Sequence, residues 1–328
     1  MLLSFTDKRT DHWVWPRHLR GIGAVLRTAG PSTFRTRLGI EVFRASRPSI
    51  VRVTRIRFFP TTDVLQILTS ITSQEVCFLD SPEWRNVPIS KIPRTAFARA
   101  QDTFWDLAAR VATAVWRINN ELARLYTPGS THANRDTAMV LAGHLNELRE
   151  EFRRWFLQTQ TEMHNQLFAE VTAAPTSSDY IFRSGKVFHF RDLAAAELLT
   201  SYWTYAFYLW DVSTFYHRAL TGLPTSIHLP VEWMVPPADV EYFAIMICQC
   251  IWWFMSWKAP SSTLSLYASF PLRVATMYFH KVALHRPEEL EWCVETSERI
   301  AGHEMEGGLA EFFVDAFVPP IHRVQRPT

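Results

Sequence analysis

The longest regular feature of this chain is an apolar stripe between Phe97 and Tyr126. Phe104, Leu107, Ala108, Val111, Val115, Ile118, Leu122 and Leu125 recur there in steps of three and four. Such steps put side chains on one face of a helix, because a turn takes about 3.6 residues. Pro128-Gly129 closes the helix. A second long helix is predicted from about Arg135 to Thr172, with Leu141, Leu145, Leu148, Phe152 and Trp155 as its seam. The seam covers about two heptads, and sustained coiled coils need three or more. An intramolecular buried face is therefore expected. Strict apolar/polar alternation, the signature of a strand, is missing throughout, and no repeat of fixed period occurs. The expected class is all-α, a multi-helix domain around a large aromatic-rich core.

Composition supports that class. In 328 residues, 48% are hydrophobic and 14% aromatic, which excludes a disordered chain. Only 11 are glycine, which argues against a Gly-rich α/β enzyme or a turn-dense β-sandwich. Further helices are predicted from Phe190 to Leu220, Val240 to Trp257 and Leu264 to His280, and a last one opens at Pro287. Proline costs nothing at a first turn, and Glu288 and Glu289 face the positive end of that helix's dipole. The cluster Tyr202, Trp203, Tyr205, Phe207, Tyr208 and Trp210 is expected to pack in the core, with a sensor pocket as its alternative role. TAAPTSSDYIFRSGKVFHF reads as a loop, and LTGLPTSIHLPVEWMVPPADV as a long proline-rich crossing. One domain is expected over 1–328, divisible into helical halves 1–175 and 186–328. The most apolar run, Phe243 to Trp257, contains Gln249 and falls short of the ~20 residues that span a bilayer. It is expected to be a buried helix, with no membrane partner.

HLRGIGAVLRTAGPSTFRTRLGIEVFR, from His18 to Arg44, raises the possibility of a phosphate-cradling loop. Gly21-x-Gly23 has Leu26 where the third glycine belongs, no buried strand precedes it, and no G-K-[ST] follows. A helical hairpin fits better. Ile22, Val25 and Leu26 share a face, and Gly30-Pro31 stops the first helix. Ser32 and Thr33 are expected to cap a second, with Phe34, Leu38, Val42 and Phe43 as its apolar positions. RPSIVRVTRIRF suggests a third short helix ended by Phe59-Pro60. Between Met1 and Pro60 twelve lysines and arginines face only Asp7, Asp11 and Glu41, and the arginines are spaced like solvent faces of helices.

Signals for chemistry are thin. Cys77, Cys248, Cys250 and Cys293 are too few and scattered for a disulfide scaffold and read as buried free thiols. Cys248 and Cys250, two apart on a helix, point to different faces and cannot share a tetrahedral metal. His303-Glu304 begins H-E-x-x, but Gly307 stands where a zinc protease needs its second histidine. His280 and His285 read as surface or capping residues. Asp211, Asp239 and Asp315 stand singly, so no D-D-x-x-D holds Mg²⁺ for terpene-cyclase-like chemistry. There is no G-x-S-x-G elbow. No catalytic, cofactor-binding or metal-ligating residue is assigned, no cofactor is expected, and the chain is not expected to be an enzyme.

Two blocks carry a resemblance. His18, Gly21, Val25, Gly30, Pro31, Phe34, Gly39, Phe43 and Arg47 occupy the pattern of an H-x-x-G…G-P…F…G hairpin, followed by FLDSPEWRNVP. Near the other end come AIMICQCIWWFMSW, FPLRVATMYFHKV and ELEWCVETSERIAG, of which Phe270-Pro271-Leu272-Arg273-Val274-Ala275 is the most specific. In content and order these blocks resemble the regulatory middle domain of fungal-specific transcription factors of the binuclear zinc-cluster family, from about Trp13 to Phe317. Ala29 replaces the usual arginine before Gly-Pro. The resemblance implies an all-helical regulatory domain in a nuclear, pathway-specific regulator, often of secondary-metabolite genes, with protein partners in a transcription complex or a homodimer. The family's six-cysteine zinc cluster has no counterpart here, so direct DNA binding by this chain is not expected. The alternative is an all-helical enzyme or small-molecule-binding protein of a biosynthetic pathway.

Overall fold

The computed structural model describes residues 14–56, 77–87, 95–125, 135–164, 166–172, 186–221, 229–256 and 261–304. Within them the protein is all-α apart from one two-stranded hairpin. Phe59-Pro60, Pro128-Gly129, Gly307 and Asp315 lie outside the described residues. The described residues fall into two compact units. One takes in described residues within 15–164 and 205–239; the other takes in those within 165–204 and 240–304, with Val14.

The first unit begins with the expected helical hairpin. Helix α1 (Val14–Ala29) carries Gly21 and Gly23 in its interior, so neither belongs to a phosphate loop. It stops at Gly30, whose φ of 71° is left-handed and whose N–H donates to Leu26 O at 2.9 Å. A 3-10 turn, Pro31–Arg35, leads into α2 (Arg37–Ile56). The expected caps are corrected here. Thr36, not Ser32 or Thr33, accepts the Gly39 N–H on its Oγ1 at 3.1 Å, while the Thr33 hydroxyl donates back to Ala29 O at 2.6 Å. Helix α2 also runs through Pro48 without a break to Ile56, so the segment from Arg47 to Ile56 continues the hairpin's second helix and does not start a third.

The faces of the hairpin differ in part from the expected stripes. Leu26, Phe34 and Phe43 are buried, with Ile40 beside them, whereas Ile22, Val25, Val42 and Leu38, the last 76% exposed, face outward. What selects the face is the segment Cys77–Val87, a 3-10 turn (Phe78–Asp80) and one helical turn, α3 (Pro82–Arg85). Its Trp84 completes a triangle with Phe34 and Phe43 at ring-centroid distances of 5.5, 5.7 and 5.4 Å. The arginines are not all solvated either: Arg47 is 2% exposed. It pairs with Asp106 of α4 (Ala96–Leu125), and neighbouring Arg44 reaches Asp102 at 3.0 Å. A guanidinium can enter a core edge in this way because its stem packs as an apolar chain while its head keeps a carboxylate partner.

Helices α4 and α5 (Arg135–Glu162) pack through the stripes read from the sequence. Phe104, Ala108, Val111 and Ile118 on α4 are buried, as are Leu145, Leu148, Phe152 and Trp155 on α5. The Trp155 indole N–H donates to Ala100 O at 3.0 Å, which satisfies the polar edge of a buried ring. From α6 (Leu193–Thr221), Tyr205 sets its ring edge-on to Phe104 at 5.8 Å.

The second unit corrects two expectations. Helix α5 ends at Glu162 and does not reach Thr172, and part of the expected loop is strand. Strands β1 (Phe168–Thr172) and β2 (Lys186–Phe190) pair antiparallel, with Phe168 opposite Phe190 and Glu170 opposite Phe188. The rings supply the reason. Phe188 stacks on Trp203 at 5.1 Å and Phe190 sets edge-on to Trp253 at 5.3 Å. Residues 188 and 190 share a face of a strand, so two aromatic anchors fix the hairpin against helices. Helices α7 (Pro237–Ser256), α8 (Ser261–Lys281) and α9 (Pro287–Glu304) complete the unit. Helix α7 from Ala238 is long and apolar enough by composition to cross a membrane, yet most of that stretch is buried in the protein. All four cysteines are free and buried, as expected, and Cys248 of α7 lies 3.7 Å from Cys293 of α9.

Candidate functional site

A cavity of about 220 Å³ opens in the first unit between α4, α5 and the Phe78–Arg85 segment. It is far larger than the ~10–15 Å³ needed to hold one water. On α4 its wall is Arg110, Thr113, Ala114, Arg117 and Ile118, at steps of three, one, three and one. These are one side of a helix whose opposite edge supplies core residues. On α5 the wall includes Leu141, His144, Leu145 and Leu148. Asp80 and Arg85 stand opposite, carried there by Trp84, which anchors their helical turn in the Phe34–Phe43 triangle. Leucines of α5 with Ala114 and Ile118 of α4 supply the apolar part of the wall, and charged and polar side chains supply the larger part.

The charges on the rim differ in how they are held. Arg85 pairs with Asp80, its Nε donating at 3.1 Å. Arg110 grips Glu151 with both guanidinium nitrogens, Nη2 donating to Oε1 at 2.8 Å. Those hydrogen bonds hold the Glu151 carboxyl below the usual carboxylate range against the opposing effect of burial. Arg117 and His144 are exposed and have no hydrogen-bond or ion-pair partner among the described residues, and Glu147 stands exposed on the same rim. Thr113 is 3% exposed, and its Oγ1 is buried without a hydrogen-bond partner. On the same helix Thr103 donates to Arg99 O at 3.1 Å, the usual resort of a helical hydroxyl, so Thr113 departs from its neighbour. The wall is thus mainly polar and of mixed charge, with Asp80 and Glu147 beside the three arginines, and the Thr113 oxygen is enclosed behind it.

A second polar group lies deeper in the same unit. Arg149 on α5 donates from Nη2 to Asn146 Oδ1 at 2.9 Å and Trp233 O at 2.7 Å, and its guanidinium sits 5.8 Å from the Trp210 ring. Burial lowers its pKa to about 10. On α6 His217 is 1% exposed with neither ring nitrogen hydrogen-bonded. Burial, reinforced by the Arg149 charge, pushes its pKa down to about 4, so the ring is neutral. The adjacent Tyr216 hydroxyl is buried and unpartnered, and burial raises its pKa, with Glu121 adding to the shift. Asp239 accepts from the Trp210 indole at 3.2 Å and Arg153 at 3.3 Å, which makes this carboxylate a structural acceptor.

The aromatic residues weighed as a sensor pocket, Tyr202, Trp203, Tyr205, Phe207, Tyr208 and Trp210, are all buried, and none lines the cavity. No three His, Cys, Asp or Glu side chains converge as a metal site among the described residues. The wall residues Arg110, Thr113, Arg117 and His144 escaped the sequence reading. Their spacing on the polar side of each stripe was visible, but which polar side faces which is a property of helix packing. Comparison with known proteins finds no matching family model, no matching curated protein and no matching solved structure.

Proposed function

We propose that this chain is a helical regulatory domain of a pathway-specific transcription regulator of the secondary-metabolite type. On this reading it acts in the nucleus through protein partners or a homodimer, and no DNA reader and no enzyme activity are assigned to it. One observation carries the reading: the residues that bear the resemblance serve the same local structure. Phe34 and Phe43 from the hairpin meet Trp84 from FLDSPEWRNVP, Gly30 takes the left-handed turn, and Arg47 ties the hairpin to α4. At the other end, Leu272, Val274 and Ala275 of the FPLRVA phrase are buried in α8. The motif positions are thus places where shape is decided.

The test is to fuse the full chain to a heterologous DNA-binding domain upstream of a reporter, and to profile transcripts after deleting the gene from its host. Reporter output that differs from the DNA-binding domain alone, with altered transcripts of a biosynthetic gene set, is expected. An inert fusion with unaltered transcripts overturns the reading. The cavity between α4 and α5 favours a second reading, a small-molecule-binding protein or enzyme of a biosynthetic pathway. Its mark is a metabolite that accumulates on deletion while transcripts stay unchanged.

A further inference from the structure

We propose that Cys248 and Cys293 are a redox-responsive pair, which closes to a disulfide under sustained oxidation by glutathione disulfide and latches α9 to α7. This inference stands whether or not the chain regulates transcription.

The two sulfurs are in contact, 3.7 Å apart on different helices, and both thiols are free. Their contact belongs to a packed seam. Cys248 follows Glu241 by seven residues, Cys293 follows Arg286 by seven, and Arg286 pairs with Glu241. Seven residues make about two helical turns, so the two chains run side by side in one direction with their sulfurs on the facing sides. Ala244 and Ile251, four before and three after Cys248, are buried, as is Ile300, seven after Cys293. Cys250 points to another face of α7 and Cys77 belongs to the first unit, so the disulfide is a defined one. Closing it brings the sulfurs to about 2.0 Å. Packing has already placed the partners together, so closure within the protein outruns capture of a second glutathione.

The chemistry takes two exchanges. The thiolate of one partner attacks a sulfur of glutathione disulfide, whose S–S bond breaks and releases one glutathione. The second partner then attacks the protein sulfur of that mixed disulfide and releases the other glutathione. The two thiol protons end on the two glutathiones, and glutathione disulfide gains the two electrons that the pair loses. Both sulfurs are buried, and burial, reinforced by the Cys293 sulfur, raises the pKa of Cys248. The first attack therefore waits for the seam to open, and the latch answers slowly.

The experiment holds the full reduced chain for hours, without denaturant, in glutathione buffers of graded oxidised-to-reduced ratio. Samples are quenched in acid, alkylated in urea and read by mass spectrometry, whole and as peptides. The expected product lacks two hydrogens, has Cys77 and Cys250 alkylated, and yields one linked peptide pair containing Cys248 and Cys293. Dithiothreitol is expected to restore four alkylated cysteines. The oxidised protein is expected to melt at a higher temperature than the reduced one, because the cross-link constrains the unfolded chain. Cys248→Ser and Cys293→Ser are each expected to keep three alkylatable thiols and an unchanged Tm in the same buffers. The wild-type measurement stands by itself, without a variant that has to fold. Four alkylated cysteines at every ratio overturn the proposal, as does a lasting glutathione adduct or a link through Cys77 or Cys250. A linked protein that melts no higher than the reduced one overturns the latch.

Discussion

A β-carbon on Gly39 would stand 2.8 Å from Thr33 O and 3.1 Å from Phe34 Cα, both backbone atoms of the 3-10 turn. Backbone cannot swing aside as a flexible side chain does. Gly39→Ala is therefore expected to cost about 1–3 kcal/mol, read as a lower urea midpoint. Gly30→Val acts differently: nothing crowds the position, but a φ of 71° strains a β-branched residue, at a cost of about 1 kcal/mol or more. An unchanged midpoint in either variant would contradict the hairpin geometry. The need for a turn at Gly30 was legible because Gly-Pro is a local signal. The need for Gly39 was visible as a motif position, but its cause is a contact across the turn. His217 gives the second test at this scale. Its folded pKa of about 4 lies below the unfolded value of about 6.5, so between those values the unfolded chain holds a proton that the folded chain does not. Stability is then fully present above pH 6.5 and falls as pH drops toward 4. Between pH 7 and 5 the loss from this group is about 2 kcal/mol. His217→Leu removes a ring with no hydrogen-bond partner, so its Tm is expected to fall much less over that interval. Parallel Tm curves for variant and wild type would refute the assignment.

Elements dock here through a few side chains that periodicity does not single out. Arg47 is the clearest. Its spacing is that of a solvent-facing arginine, yet its guanidinium lies 5.6 Å from the Phe43 ring centre and pairs with Asp106. Arg47→Ala is expected to destabilise by about 2 kcal/mol or more through lost packing and lost hydrogen bonds. Asp106→Asn is expected to cost less, because that carboxylate is 51% exposed and water replaces its partner. Chemical denaturation of the two variants ranks them; the reverse order would place the weight of the contact on charge and not on packing. The β-hairpin makes the complementary point. KVFHF alternates over only five residues, too short a run to separate from the polar segment before it. It becomes a strand because Phe188 finds Trp203 and Phe190 finds Trp253, rings that a reading along the chain places on distant helices. Phe188→Ala is expected to cost about 3–5 kcal/mol, since it leaves a cavity against Trp203.

Across the whole molecule the cysteines report on integrity. All four are buried, and burial raises the pKa of Cys248 and Cys250 well above the ordinary thiol value. The native protein is expected to show no rapidly reacting thiol, with four reacting in urea; a thiol that reacts at once under native conditions would mean that one of these cores is open. Amphipathic stripes on α4 and α5, the cap at Gly30 and the all-helical class were determined by the sequence itself, because each depends on residues within a few positions of one another. Which stripe of the hairpin is buried, that Arg47 is enclosed, that the chain pairs two strands, and that Arg117, Thr113 and His144 surround one cavity were decided only by the tertiary structure. The physical reason is one of range: backbone hydrogen bonding and side-chain period act over single turns, whereas burial, ion pairing and a cavity require surfaces brought together from segments tens of residues apart.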